Sequence, residues 1–163
     1  MAVTYEPIAS QTLGSAVSSV TFSDIPQTFT DLIFIAQAGT AGGANSWIRY
    51  NGDTGTNYSA TMIRRTGTST VLSTRRTNES AWLQDFQRDG AVTADIWQVE
   101  ILNYTSTSVF KTGLGSLQST QWDSIKSAGL WRSTAAITSL SLYVDVTTFL
   151  TGSTFSLYGI KAA

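Results

Sequence analysis

The sequence predicts an all-β protein, an antiparallel β-sandwich of jelly-roll-like topology. Apolar residues alternate with polar ones along many short runs, which is the period of a half-buried strand. Turn residues recur at a spacing of roughly 8–12 residues, and no stretch shows the period of an amphipathic helix. The 163 residues suit one domain of this class, which we expect to span residues 1–163.

The last two predicted strands are the clearest. The run Ser139–Val146 places apolar residues at every second position, and Gly152 and Ser153 then supply a turn. In the final run, Thr154–Ile160, alternate residues again share a face, so we expect this strand to be paired inside a sheet. In the first run, one face carries Leu140, Leu142, Val144 and Val146. In the final run, one face carries Phe155, Leu157 and Gly159, and the other carries Ser156, Tyr158 and Ile160.

The preceding elements are predicted from the same period and from their flanking turns. Thr30–Gln37 is continuously apolar and is expected to be a central strand buried on both faces. Long connections near Gly39 and Gln118 favour a jelly roll over a simple meander. Only Ser133–Ile137 suggests a helix, of about one turn. The other predicted strands are Val3–Ala9, Ala16–Phe22, Ser46–Asn51, Tyr58–Arg65, Thr70–Arg76, Ser80–Phe86, Ala94–Tyr104, Ser108–Leu117 and Lys126–Arg132.

Two glycines interrupt one of these predicted strands. Gly113 and Gly115 lie at alternate positions within Ser108–Leu117. Glycine in a strand interior indicates a bulge or a close approach of another group to the backbone. We therefore expect something to pack closely on this strand.

Composition excludes several classes of function. The chain contains no Cys and no His, which removes disulfides, thiolate nucleophiles, imidazole bases and the commonest transition-metal ligands. Charged residues make up 13%, while 25 Thr and 21 Ser supply the polar surface. A net charge of −1 gives no field for attracting nucleic acid or an anionic membrane. No apolar run approaches a membrane span and no signal peptide precedes the first strand, so we expect synthesis and assembly in a cytoplasm.

Catalysis is not expected, and no cofactor or metal is predicted. The acidic residues Asp85, Asp89, Asp95 and Glu100 cluster in sequence, but nothing fixes two of them at the separation that glycoside hydrolysis requires. Asn51, Asp53 and Asn57 offer oxygen ligands at a spacing that suits calcium. One carboxylate supplies little charge, and Asn-Gly-Asp is favoured as a turn.

Arginines are concentrated in one predicted hairpin. Arg64, Arg65, Arg75 and Arg76 are four of the seven arginines in the chain, and Gly67–Ser69 is the predicted tip. The two pairs would then face each other across the hairpin, where guanidinium groups could bind carboxylates of a neighbouring subunit. The alternative is an edge hairpin that charge keeps soluble.

The five tryptophans divide into core and surface candidates. Trp97 and Trp131 lie in strand patterns and are expected in the core, as is common for buried aromatic residues. Trp47 and Trp122 are the candidates for exposed contacts, either with a partner or with a sugar. Packing is favoured over sugar stacking for the set as a whole.

Three stretches together resemble a known group of proteins. They are Val20–Pro26 with Thr30-Asp31-Leu32 after it, Ala128–Leu140 and Phe155–Lys161, and Asn57–Ser59 adds to the pattern. In this order they resemble small structural proteins of tailed bacteriophages, particularly phages of aquatic bacteria such as cyanobacteria. The shared motifs are strand and turn signatures and carry no catalytic or binding residue over to this chain.

The resemblance implies a virion component with a jelly-roll-like domain. The first expectation is a capsid decoration (cement) protein that binds the major capsid protein on the outer shell as a homotrimer and stabilises the shell. The alternative is a tail-fibre or receptor-binding domain that recognises a host surface glycan. Neither reading involves nucleic acid, a membrane or a cofactor.

Overall fold

All the secondary structure described is β. The computed structural model describes residues 5–66, 70–84, 95–119 and 123–161, and twelve strands lie in these ranges. The strands are β1 (Tyr5–Thr12), β2 (Ser19–Phe22), β3 (Asp31–Ala38), β4 (Ser46–Tyr50), β5 (Tyr58–Thr66), β6 (Thr70–Glu79), β7 (Trp82–Leu83), β8 (Asp95–Leu102), β9 (Lys111–Gln118), β10 (Asp123–Trp131), β11 (Leu140–Val144) and β12 (Thr154–Ile160).

The strands form two antiparallel sheets packed as a sandwich. The larger sheet has eight strands in the order β1-β12-β3-β8-β9-β10-β5-β6, and the smaller has four in the order β2-β11-β4-β7. The chain crosses between the sheets after most strands, whereas the β5–β6 hairpin and the β8–β9–β10 meander stay within the larger one. This alternation gives the jelly-roll-like all-β fold that the sequence predicts.

The core lies between the sheets and is rich in aromatic rings. Phe155 is fully buried at its centre, with ring centroids 5.1 Å from Phe149 and 6.5 Å from Phe34. At the other end, Trp131 stacks on Tyr58 at 6.2 Å. The alternate positions predicted for β11 and β12 do face inward. The period-two pattern is thus the sequence feature that defines this core.

One cation lies in the interior. Lys111 is 1% exposed, and its Nζ donates hydrogen bonds to the carbonyls of Ser106, Val109 and Thr134 at 2.6, 3.0 and 3.2 Å. Burial lowers the pKa of this amine. The three carbonyls replace water around the ammonium, so Lys111 pins the loop between β8 and β9 against the start of β9.

Several local predictions differ from the structure. Thr30–Gln37 is a central strand, but Ile35 and Gln37 are exposed because the outer face of the larger sheet has no second layer over them. Val146 is exposed because β11 ends at Val144. Gln118 ends a strand that pairs directly with β10, so the connection there is no crossing between sheets.

One further difference lies before β11, and the pairing of β1 was left open by the sequence. Residues 133–137 form an irregular connection and no helical turn. The first strand pairs with β12 of its own chain, with Glu6 opposite Gly159. Within the described ranges, no helix is long and apolar enough to cross a membrane.

Candidate functional site

The outer face of the eight-stranded sheet carries a groove. Two adjoining depressions of about 490 and 460 Å³ share Thr61, Leu114 and Ala128 and run across β5, β10, β9 and β8. Antiparallel register aligns the residues in rows across the strands. One row is Glu100, Leu114, Ala128, Thr61 and Arg75; the next is Gln98, Ser116, Lys126, Ile63 and Ser73.

Glycines allow two side chains to pack directly against the inner side of the sheet under this groove. On the inner side, Trp82 of β7 lies against Gly113 and Gly129, and a Cβ at Gly113 would come within 2.6 Å of the indole. Gln84 lies in the same way against Gly115. The outer side of the three glycines, Gly113, Gly115 and Gly129, forms part of the groove lining. The close backbone contact predicted for Gly113 and Gly115 is therefore confirmed.

Large aliphatic side chains surround the groove and remain open to solvent. Ile63 and Leu114 are 57% and 55% exposed, respectively, although β5 and β9 are each paired on both sides. Ile96 of β8 and Val71 of β6 are also exposed on this face, at the two ends of a row whose other members are Gln118, Ser124 and Arg65. Four large aliphatic side chains exposed on one sheet face favour a contact surface.

The charges of the groove have both signs. The negative charge is that of Glu100 on β8. The positive charges are those of Lys126 on β10 and Arg75 on β6. None of the described residues that line the groove is aromatic. Sugar sites rely on aromatic rings for stacking, so this lining suits an aliphatic and polar protein surface better than a glycan.

The arginine hairpin is present, but its arginines do not face each other as predicted. Arg75 and Arg76 pair with Thr61 and Ala60, while Arg64 and Arg65 pair with Leu72 and Val71. The tip at 67–69 lies outside the described residues, and the register puts the two pairs four positions apart along the hairpin, about 13 Å. Arg65 and Arg75 share the outer face; Arg64 and Arg76 share the inner one.

The predicted exposed tryptophan Trp47 lies on the outer surface of the four-stranded sheet and is half-buried. Its Nε1 donates to Asp145 at 3.3 Å, and Tyr143 is its cross-strand neighbour. Arg49 lies 4.7 Å from the centroid of Tyr143 and donates to its hydroxyl at 2.9 Å. The other candidate, Trp122, lies outside the described residues. Trp97 and Trp131 are in the core as predicted.

Asp145 organises this aromatic surface. Asn45 donates to its carboxylate through the backbone N–H at 3.0 Å and the side-chain amide at 2.8 Å. Burial alone would raise the pKa of Asp145, but these hydrogen bonds and that of Trp47 outweigh it and lower the pKa. The carboxylate therefore stays ionised and holds Trp47 in place.

The loop that could have bound calcium is a structural turn. Asn51 has a φ of 52°, and its Oδ1 accepts hydrogen bonds from the backbone of Thr138 and Ser139. Asp53 accepts from Asn57 at 2.9 Å and from the Trp131 indole at 2.7 Å. Since these oxygens are engaged by donors, they do not converge on a cation. Among the described residues, no group of three His, Cys, Asp or Glu side chains is placed to hold a metal ion.

The carboxylates considered for catalysis do not come together where the structure describes them. Asp95 is buried on the inner face of β8, and Glu100 lies on its outer face. Side chains at odd and even positions of a strand point to opposite faces of the sheet, so the carboxylates of Asp95 and Glu100 cannot contact the same substrate. Asp85 and Asp89 lie outside the described residues.

Comparisons with known proteins add little. A scan against protein-family models and a search of curated proteins both find no match. Among solved structures, a mutant of the alginate lyase Aly36B in complex with an alginate tetrasaccharide shows 12% identity. The match covers 90% of this chain and 72% of that one, with a TM-score of 0.33. Chains at this TM-score need not share a fold, so nothing about the lyase is carried over.

Proposed function

We propose that this chain is a structural protein of a bacteriophage virion that decorates the capsid and stabilises its outer shell. The sequence resemblance to phage structural proteins motivates the proposal. The observation that supports it best is the outer face of the eight-stranded sheet, where Ile63 and Leu114 are more than half exposed beside Glu100 and Lys126. This surface offers aliphatic area with charges of both signs, as protein interfaces do.

Decoration would act through contact area and copy number. Many copies, each with a modest interface on the major capsid protein, would together hold neighbouring capsid subunits. A homotrimer would suit a local threefold axis of the shell. Arg65 and Arg75 lie on the outer face and would add carboxylate contacts at its margin.

Copy number per virion tests the location. Quantified bands of purified particles should give a ratio near one copy per major capsid protein, or one trimer per local threefold axis. A few to a few tens of copies per particle would contradict decoration and indicate a tail protein. Light scattering of the purified chain tests the trimer separately.

Binding to capsids that lack the protein tests the surface. Ile63→Glu combined with Leu114→Glu should abolish cosedimentation with such capsids and their protection against heat. Val146→Glu is the matched control, because Val146 is 75% exposed in the loop after β11, away from the groove. Equal binding by both variants would contradict the assignment of this face.

The second candidate function is recognition of a host surface glycan by a tail-fibre domain. The aromatic surface of Trp47, Tyr143, Arg49 and Asp145 favours it, since rings beside hydrogen-bonding groups suit sugars. Under this alternative, the chain should bind host cells, free host glycan should compete, and Trp47→Ala should weaken binding at least tenfold. Unchanged binding by Trp47→Ala would remove Trp47 from the site.

A further inference from the structure

The exposed edge of the larger sheet differs from the other sheet edges that the structure describes. Strand β1 contains Pro7 and a register shift between Pro7 and Ala9, which are two devices that prevent edge pairing. In the smaller sheet, β2 has four residues and β7 has two. These edges are too short or too irregular to template a further strand.

Strand β6 contains no proline and is long, and its one register shift, at Asn78 with a φ of 60°, lies close to the end of the strand. It is ten residues long, and its pairing with β5 is regular from Thr70 to Thr77. Every residue from Val71 to Asn78 is exposed, on both faces of the strand. An edge of this length and regularity presents backbone donors and acceptors to which an extended segment can pair.

The charge on this hairpin determines which segment fits. Residues 58–79 contain four arginines and one glutamate, a net charge of +3. The whole chain carries −1, which leaves −4 for the rest. Among the described residues, Arg76 pairs with Glu79 at 3.7 Å, and since both side chains remain in partial contact with solvent, the pair neutralises little of this charge.

The position of Arg75 and Arg76 narrows the partner further. As consecutive residues of a strand, they point to opposite faces of the sheet. A second copy of β6 alongside would place one hairpin of net charge +3 against another, and like charges across a strand pair are destabilising. The free edge of β1 in a second copy supplies only Glu6, which is already bonded to Lys161 at 2.7 Å.

From this geometry we infer that β6 is a docking edge for an extended segment of a partner protein that carries two adjacent carboxylates. The segment adds to the sheet as a ninth strand through backbone hydrogen bonds. One carboxylate meets Arg75 on the outer face, and the other meets Arg76 on the inner face. The inference rests on the β6 edge; it shares Arg75 with the capsid proposal, but the backbone pairing that defines it does not depend on the capsid or glycan proposals.

A labelled peptide tests the inference on the intact chain. The probe is the acetylated, amidated decapeptide Ser-Thr-Val-Thr-Glu-Glu-Thr-Val-Thr-Ser, with binding followed by fluorescence anisotropy at low salt. Two further versions of the peptide carry N-methyl groups on backbone nitrogens. One is methylated at the odd-numbered residues and the other at the even-numbered residues. Strand addition requires that one version loses binding at least tenfold and the other keeps it, because alternate amides face the edge. No binding by the parent peptide, or equal binding by both N-methylated versions, overturns the inference.

Charge exchange tests the arginines. Arg75→Glu with Arg76→Glu should weaken the acidic peptide at least tenfold and should allow binding of the peptide with Lys-Lys in place of Glu-Glu. Thr107→Glu with Thr151→Glu adds negative charge at exposed turns away from β6 and should leave the acidic peptide bound. Undiminished acidic-peptide binding by the arginine variant overturns the inference. Capsid binding is measured in a separate assay, so a failure of the capsid proposal can be distinguished from a failure of the β6 inference.

Discussion

The two ends of the eight-stranded sheet serve different purposes. Toward the β1 end, Phe155 and Leu157 of β12, the second strand of the sheet, are fully buried. At the β6 end, the smaller sheet no longer covers the strand, and Val71 and Leu72 are exposed on opposite faces. One continuous hydrogen-bonded sheet therefore provides a packed scaffold at one end and a presented surface at the other.

Core truncation should show the largest contrast between the two ends. Phe155→Ala removes a fully buried ring that contacts Phe34 and Phe149, and should lower the free energy of unfolding by about 3–5 kcal/mol. Leu72→Ala at the presented end should change it by less than about 0.5 kcal/mol. Urea unfolding followed by tryptophan fluorescence measures both. Similar losses would mean that the β6 end is also packed.

The contact of Trp82 with the glycine strands marks the boundary between the two ends. A Cβ at Gly129 would overlap the Trp82 indole, so Gly129→Ala should cost about 1–3 kcal/mol of unfolding free energy. Gly14→Ala is the control, because a Cβ there meets nothing within 4 Å. Thermal denaturation of the two variants distinguishes them, and an unchanged Tm for Gly129→Ala would show that Trp82 can move aside.

Asp53 ties the start of β5 to Trp131 on β10. Burial alone would raise its pKa, but the hydrogen bonds from Asn57, Trp131 and Gly55 outweigh it and lower the pKa. The resulting stability is present above the unfolded pKa of about 3.9 and is lost as the pH falls through the folded pKa. Asp53→Asn should therefore be less stable than the parent at pH 7, by on the order of 1 kcal/mol. The difference should narrow as the pH falls below about 5 toward 2. A gap that widens in acid would contradict this sign.

The smallest effect is expected at the exposed ion pair of β6. Arg76→Ala should change the free energy of unfolding by no more than about 0.5 kcal/mol, since both side chains of the pair are solvated. Guanidinium chloride is unsuitable here because its salt masks charge effects, so urea unfolding is the measurement. A loss above 1 kcal/mol would mean that Arg76 stabilises the fold as well as presenting charge.

Period-two patterning predicted the fold class and most strands because each strand buries one face. It could not predict how far each face is covered. Ile35 and Ile63 read as core residues by type, yet both lie on the uncovered face of the larger sheet. The burial of a strand's face depends on which strands of the larger sheet the smaller sheet packs against. That arrangement is set by where the chain crosses between the sheets, and the local sequence does not encode it.

The candidate site was only partly predictable. The arginine-rich hairpin and the close contact at Gly113 were visible in sequence, because composition and strand-interior glycine are local signals. The groove was missed, since its rows join five strands whose register emerges only on pairing. Gly129 lies two residues before Trp131, which was predicted to be in the core. It was the signal that could have extended the prediction of close packing from Gly113 and Gly115 to a second strand.

The buried ammonium of Lys111 has a consequence for chemical labelling. The chain has three lysines, and Lys126 and Lys161 are exposed. An amine-reactive ester should acylate those two quickly in the native protein. Lys111 can react only when it leaves its three carbonyls and loses its proton. The slow appearance of a third acylated lysine in a mass spectrum would therefore time the local opening of the loop between β8 and β9, with no mutation and no attached probe.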